Sequence, residues 1–393
     1  VTHYLDHAAT TPMLPAAVDA LLEVSRQVGN PSSLHTSGRA ARAVVEEARE
    51  RIGAALGARP SEVVFTSGGT EADNLAVKGT WLARRAKDPS VNGVVASSIE
   101  HHAVLDPVEY LEESRGVPVT WLEPDRCGHL APDTLRAALA AGGVAVASVM
   151  WANNEVGTVQ PIAELAEVAR AHGVPFHTDA VQAVGHLPVS FADSGVDLMT
   201  VTAHKLGGPV GWAHCSPAAT PRWCRCRTVA ARSDRCAVAP STLRASTPSR
   251  WRSTTRCGYV TSRPSGSAPC GTGSSRARSD STSGSRSAAA GRPVTSTRTA
   301  AGQRPPARAR RRGRLPALPP RCRRRRVSTG SACQAGVPRP SHVLLAMGYT
   351  EREARGAIRV SLGWSSSDAD VDAFLGALPG VVERARRASQ RAR

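Results

Sequence analysis

Between residues 1 and about 212, short β-branched runs alternate with helical stretches, and no other feature constrains the fold as strongly. Apolar residues at helical spacing predict helices over Pro15–Leu22, Gly38–Leu56, Glu71–Ala86 and Ile162–Ala171, the last closed by His172-Gly173. Strands are predicted at Glu62–Phe65, Val91–Ala96, Val117–Leu122, Val144–Trp151, Val174–Asp179 and Asp197–Val201. Elements alternating in this way bury their apolar faces as a mostly parallel sheet covered by helices on both sides, an α/β architecture.

The alternation stops at about Trp212. Residues 214–327 hold 26 Arg, no Lys, no Glu and only Asp234 and Asp280 as acids, a net of +24. The rest of the chain has 24 basic and 30 acidic residues, a net of −6, so the overall charge of +18 describes neither part. Seven of the nine cysteines fall in the same segment, and Arg308–Arg314 and Arg321–Arg326 are almost pure Arg. With no apolar period and no helix caps, this stretch is expected to be disordered or misfolded rather than to build a core. Ordinary patterning returns at Ser328, with an apolar run at Ser341–Met347, a strand at Ile358–Leu362 and an amphipathic helix over Asp368–Arg387. The expected organisation is an N-terminal segment (1–15), a large domain (16–212), the aberrant segment (213–327) and the remainder of a smaller α+β domain (328–393).

At 393 residues and 41% hydrophobic content, the chain can bury a large core, which excludes a disulfide-stapled peptide. It contains no uninterrupted apolar run of 18 residues, so no membrane span is expected. Val1–Asp6 lacks the basic and apolar regions of a signal peptide, so a cytoplasmic location is expected. Cys224 and Cys226 form a single C-x-C pair without a second cluster, which makes a poor zinc site, and no metal is expected.

Several polar groups fall at predicted strand ends. Gly68-Gly69-Thr70 links a strand to a helix, where glycine admits close approach and the helix N-terminus offers N–H groups to a phosphate. Asn153–Thr158 follows one strand, Asp179 closes another with Gln182 a turn later, and Thr202-Ala203-His204-Lys205 closes the next. Each has an ordinary reading alone: a plain connecting turn, a solvated carboxylate, a surface His-Lys pair. Lys205 stands out because the chain has only two other lysines, Lys78 and Lys87. Together, a phosphate cradle, a carboxylate and a lysine at successive strand ends are what pyridoxal 5'-phosphate requires. Lysine bonds the cofactor aldehyde, and the carboxylate keeps the ring nitrogen protonated. Glu100-His101-His102 could supply an aromatic ring to stack on the pyridine.

The chain resembles the cysteine desulfurases of the NifS/IscS type, fold-type I enzymes that use pyridoxal phosphate. The matching stretches, in order, are Tyr4–Pro12 (YLDHAATTP), Asn30–His35 (NPSSLH), Phe65–Asn74 (FTSGGTEADN), Glu100–Val104 (EHHAV), Asn153–Thr158 (NNEVGT), His177–Gln182 (HTDAVQ), Thr202–Lys205 (TAHK), Ser328–Cys333 (STGSAC) and Arg359–Gly363 (RVSLG). The resemblance implies that Lys205 bonds the cofactor, Asp179 pairs with the ring nitrogen, Gln182 and Asn154 bond ring substituents, and His101 stacks on the ring. It implies that Gly69, Thr70, Thr202 and His204 hold the phosphate. Arg359, with Asn154, would receive the carboxylate of L-cysteine, and Cys333 would accept the sulfur as a persulfide, releasing L-alanine; proton removal would fall to His101 or Lys205. Cys333 would also be able to ligate an iron–sulfur cluster transiently. The expected partners are a second copy of the chain and an iron–sulfur scaffold or other sulfur-acceptor protein, with no role for membrane.

The family continues after its lysine with a strand, a Gly-rich turn and an Arg-Ser-Gly-Thr stretch that reaches the neighbouring subunit's phosphate; none of these can be read from the residues between about 213 and 327. Arg, Pro, Ala, Gly, Ser, Thr, Cys and Trp are what GC-rich codons yield out of frame. Two compensating frame changes, near Gly211–His214 and Arg326–Ser328, are therefore expected, with an inactive homologue as one consequence. The rival reading, an arginine-rich arm for nucleic acid, is disfavoured because such arms interleave Lys and aromatics and lie at termini.

Overall fold

The computed structural model describes residues 2–210, 213–217, 325–329 and 339–391; Cys333 and most of the arginine-rich segment lie outside the described residues. In chain order the strands are β1 (His3–Tyr4), β2 (Val64–Thr66), β3 (Gly93–Ser97), β4 (Val119–Leu122), β5 (Val144–Ser148), β6 (Phe176–Asp179), β7 (Leu198–Thr202), β8 (Ala213–Pro217), β9 (Arg325–Arg326), β10 (Ser328–Thr329) and β11 (Ile358–Arg359). The helices begin with α1 (Pro15–Ser25) and α2 (Thr36–Leu56). Then come α3 (Gly69–Asn74), which runs through one π-turn into α4 (Thr80–Lys87), and α5 (His102–Arg115), α6 (Pro132–Leu139), α7 (Ile162–Ala171) and α8 (Phe191–Ser194). After the arginine-rich segment follow α9 (His342–Ala346), α10 (Glu351–Arg355) and α11 (Asp368–Arg391).

The main sheet has the order β2-β8-β7-β6-β5-β3-β4. β7, β6, β5, β3 and β4 are mutually parallel, and β8 runs antiparallel to both β7 and β2. Both faces are covered, so the alternation of side chains divides each strand between two cores. From β3, Val95 packs into one core with Leu135, Leu165 and Phe176. Val94 and Ala96 pack into the other, with Trp81, Val104 and Leu111. Phe176 and Leu165 are fully buried, and truncating either to Ala would cost about 3–5 kcal/mol. A third cluster joins Ile99 to Val343, Leu344, Met347, Ala354 and Ala357, seating the C-terminal elements on the end of β3.

The architecture is the α/β fold expected, with boundaries moved by local chemistry. Glu62 leaves the first predicted strand because its carboxylate accepts hydrogen bonds from the backbone and side chain of Arg59, closing a 3-10 turn. The predicted Val144–Trp151 strand is regular only to Ser148, although the N–H groups of Val149 and Trp151 still donate to the His177 and Asp179 carbonyls of β6. The predicted strand at Ile358–Leu362 forms a ladder over Ile358–Arg359, opposite Thr329 and Ser328, and then an isolated parallel bridge from Ser361 to Asp6. α5 and α6 escape the sequence reading because Pro107 interrupts one and the other is only 8 residues long.

Candidate active site

The parallel strands present one edge of carboxyl ends, and the chain order reverses between β3 and β5, the place where such sheets leave a crevice. At this edge lie Glu100 and His101 after β3, Asn153 and Asn154 after β5, Asp179 at the end of β6, and Lys205 three residues past β7. β2 points the same way as β7, since both run antiparallel to β8, so the Gly68-Gly69 turn opens on the same edge.

Lys205 is half-buried, and its Nζ donates to the carbonyl oxygens of Ala9 (2.8 Å) and Ala8. Gln182 Nε2 donates to the same Ala8 carbonyl at 2.8 Å. The carbonyl of His204 accepts from the N–H of Thr11, and its ring lies 3.3 Å from Thr10 Oγ1. Burial and then the positive charge of Lys205 push the His204 ring down to about 4, so it is uncharged near neutrality. The N-terminal segment thus lies directly against the ends of β6 and β7.

Asp179 is 4% exposed, and its Oδ1 accepts from the N–H of Val181 at 2.9 Å. Burial pushes its carboxyl up to about 6, against the stabilising pull of that N–H and of Lys205. Around it lie two carboxyls to which the sequence reading gave no role. Glu100 is fully buried; its Oε1 accepts from the N–H of Met150 at 2.6 Å and its Oε2 has no partner. Asp73, on α3, is buried 3.6 Å from His177 Nε2. Burial, reinforced by the negative charge of Asp179, raises both carboxyls well above the usual range. His177 sits between Ser148 Oγ (2.9 Å) and Thr200 Oγ1 (3.1 Å), and burial lowers it to about 3. Three carboxyls sharing so little solvent cannot all carry charge cheaply, so this floor favours one anion facing one cation.

His101 caps α5, its Nδ1 accepting the N–H of Ala103 at 3.1 Å. Burial first, then Lys205, His102 and His342, lower it to about 4. The ring is therefore neutral, and with Nδ1 committed to the cap its hydrogen sits on Nε2.

At the Gly68-Gly69 turn a side chain on Gly68 would meet nothing within 4 Å, whereas one on Gly69 would touch Val181 and Thr202. Thr70 is exposed in the first helical turn, Thr202 is buried at the end of β7, and Glu71 is turned back to accept from Ser67. The open ground at the start of α3, the buried carboxyl of Asp179 and the lysine after β7 fit pyridoxal phosphate: N–H donors for a dianion, an anion for a ring nitrogen, an amine for an aldehyde.

Arg359, on β11, is 2% exposed. Its Nη2 donates to Asp6 Oδ1 (2.9 Å) and Ser328 Oγ (3.3 Å), and its Nη1 to the carbonyl of Asn154 (3.1 Å). The fold thus brings Arg359 to Asn154 from 205 residues away. Asp6 belongs to a quoted motif, but nothing local in the sequence marks it as the partner of Arg359. Two surface grooves of about 610 and 530 Å³, meeting at Gln160 and Pro161, contain none of these residues.

The aminotransferase class-V family profile matches residues 3–216. Over 390 residues the chain is 44% identical to the IscS-like cysteine desulfurase of Mycobacterium tuberculosis, covering 98% of each. It is 46% identical over 209 residues to the cysteine desulfurase IscS of Dictyoglomus turgidum, covering 53% of this chain and 52% of that one. Among solved structures it is similar to SspA in complex with cysteine, with a TM-score of 0.65 and 25% identity over 93% of this chain and 100% of that one. A NifS-like protein from Rickettsia africae shares the fold, with a TM-score of 0.67 and 22% identity over 98% of this chain and 100% of that one.

Proposed function

The chain belongs to the cysteine desulfurase family of class-V aminotransferases, and on that premise we propose that it removes sulfur from L-cysteine, releasing L-alanine and leaving a persulfide on Cys333. The observation that carries the reading is the placement of Asp179 at the end of β6 and of Lys205 just past its parallel neighbour β7, beside the open Gly68-Gly69 turn. Pyridoxal phosphate, when bound, supplies an electron sink for charge developing at the substrate α carbon. Gly69, Thr70, Thr202 and His204 would hold its phosphate, Lys205 its aldehyde carbon, and Asp179 a proton on its ring nitrogen. Asn154 and Gln182 would bond the ring substituents. Neutral His101 would lie on the ring and offer its Nε2 hydrogen. With that ring committed as a donor, Lys205 is the group to move the α-proton. Arg359 would hold the substrate carboxylate, and the Cys333 thiolate would attack the substrate sulfur, breaking its bond to carbon. The persulfide would then pass to an iron–sulfur scaffold or another acceptor, in a homodimer. The test is equimolar alanine and sulfide from L-cysteine in the presence of a thiol. Lys205→Ala should abolish both products together with the visible absorption of lysine-bound cofactor; alanine release that survives this change defeats the assignment.

We also propose that residues 213–327 are translated out of frame. The alignment with the M. tuberculosis relative spans 390 residues of two chains covered to 98% each, which supports a segment that stands in place of sequence of about the same length. An added nucleic-acid arm would lengthen the chain. Resequencing the gene across codons 205–335 tests this: a corrected frame should restore an Arg-Ser-Gly-Thr stretch, and a confirmed reading together with steeply salt-dependent nucleic-acid binding would favour the arm.

A further inference from the structure

Among the described residues Arg359 is the one buried arginine, and its donors are unevenly used. Nη2 is occupied by Asp6 and Ser328, Nη1 has the Asn154 carbonyl, and Nε has no partner. A planar guanidinium offers a carboxylate two bidentate forks, Nε with Nη2 and Nη1 with Nη2, and both need Nη2. An incoming carboxylate therefore cannot dock bidentately while Asp6 and Ser328 keep their bonds. We propose that Asp6 is a resident carboxylate on this fork, exchanged for the carboxylate of the incoming amino acid, and that it thereby sets substrate affinity. This rests on the reading of Arg359 given above.

The surroundings suit exchange. A buried guanidinium without an anion is costly, so a counter-charge is needed whenever the site holds no substrate. The Asp6 side chain is 21% exposed against 2% for Arg359, so Asp6 can rehydrate as it leaves while the arginine stays. Its backbone is pinned beside β11: Ser361 N–H donates to the Leu5 carbonyl at 2.9 Å, and Ala8 N–H donates to Ser361 Oγ at 2.8 Å. Release is thus a rotation of one side chain. Ser328 Oγ donates to Asp6 Oδ1 at 2.8 Å and holds it in the docked position. The same segment places the Ala8 and Ala9 carbonyls on Lys205 and Gln182, so Asp6 departs from a strap already fixed against the site.

The experiment uses the full-length, cofactor-free chain, with propionate titrated and followed by NMR, and the Michaelis constant for L-cysteine measured on the holoenzyme. Asp6→Asn should bind propionate about tenfold more tightly, the scale of one charge-assisted hydrogen bond no longer competing, and should lower the Michaelis constant. Ser328→Ala, which keeps the charge pair and only loosens Asp6, should tighten propionate binding by about two- to threefold and serves if Asp6→Asn fails to fold. Arg359→Lys should lose propionate binding. Unchanged or weaker binding in the Asp6 or Ser328 variant, with binding lost in Arg359→Lys, overturns the exchange and leaves the role of Arg359 intact. Undiminished binding in Arg359→Lys overturns both.

Discussion

Replacing Asp179 by Asn should stabilise the cofactor-free protein at neutral pH while removing the charge expected to hold the ring nitrogen. In the folded chain the Asp179 carboxyl titrates at about 6, because burial outweighs the help it receives from the Val181 N–H and Lys205. In the unfolded chain an aspartate titrates near 3.9. Between those values the folded state holds a proton that the unfolded state has released, so the Asp179 contribution to stability falls as pH rises through this window and levels off above it. At 1.36 kcal/mol per unit the loss reaches about 3 kcal/mol by pH 7. Asn is nearly isosteric, and its side-chain oxygen can still accept the Val181 N–H, so the variant should be spared that loss. His177, neutral when folded with its titration lowered to about 3, contributes the opposite slope over an overlapping range. It is common to both proteins and cancels in the difference, which reports Asp179 together with the charge it imposes on Asp73 and Glu100. Urea denaturation of the two cofactor-free chains at pH 4, 5, 6 and 7.5 should show a stability difference that grows in favour of the variant up to about pH 6 and then stays flat. A difference independent of pH, or a variant less stable at pH 7.5, refutes the reasoning. Loss of cofactor affinity in the same variant would show that the buried charge is kept for function at the expense of stability.

Lys205→Ala should reduce alanine formation from L-cysteine by roughly 10³-fold or more, measured by amino-acid analysis, with the protein still folded by circular dichroism. Gly363→Ala would place a methyl group 2.2 Å from His7 Nδ1, which itself lies 2.6 Å from Thr11 Oγ1; we expect a loss of about 1–3 kcal/mol in urea denaturation. Because folding lowers His177 to about 3 and His101 to about 4, both gain a proton on unfolding in acid, so their contribution to stability should fall as pH drops below about 6.5, opposite in sign to that of Asp179. His177→Gln should flatten that acid limb in pH-dependent denaturation, and an unchanged limb would count against a neutral buried imidazole.

The strand ends carrying Asp179 and Lys205 were legible because their neighbours obey local rules: β-branched runs that can only be buried strands, broken by polar residues that cannot continue them. His101 was legible only as a ring following the strand that ends near Ser97; the helix whose second residue, Ala103, has its N–H capped by that ring was not. Glu100 and Asp73 were not. Each stands inside a quoted motif, but the elevation of its titration comes from burial and from Asp179, a residue on another strand, and a linear reading contains neither quantity.

The amino-acid order alone determined the parallel α/β sheet, the edge of that sheet where chemistry belongs, the family motifs, and the point near Trp212 where the pattern fails. Tertiary structure decided which charges meet. Asp6 and Arg359 are 353 residues apart and 2.9 Å distant, and the Ala8 carbonyl that holds Lys205 is 197 residues from it. Hydrophobic periodicity is a short-range property of a helix or strand, whereas electrostatic pairing and desolvation depend on distances that exist only once the sheet has closed and water has left.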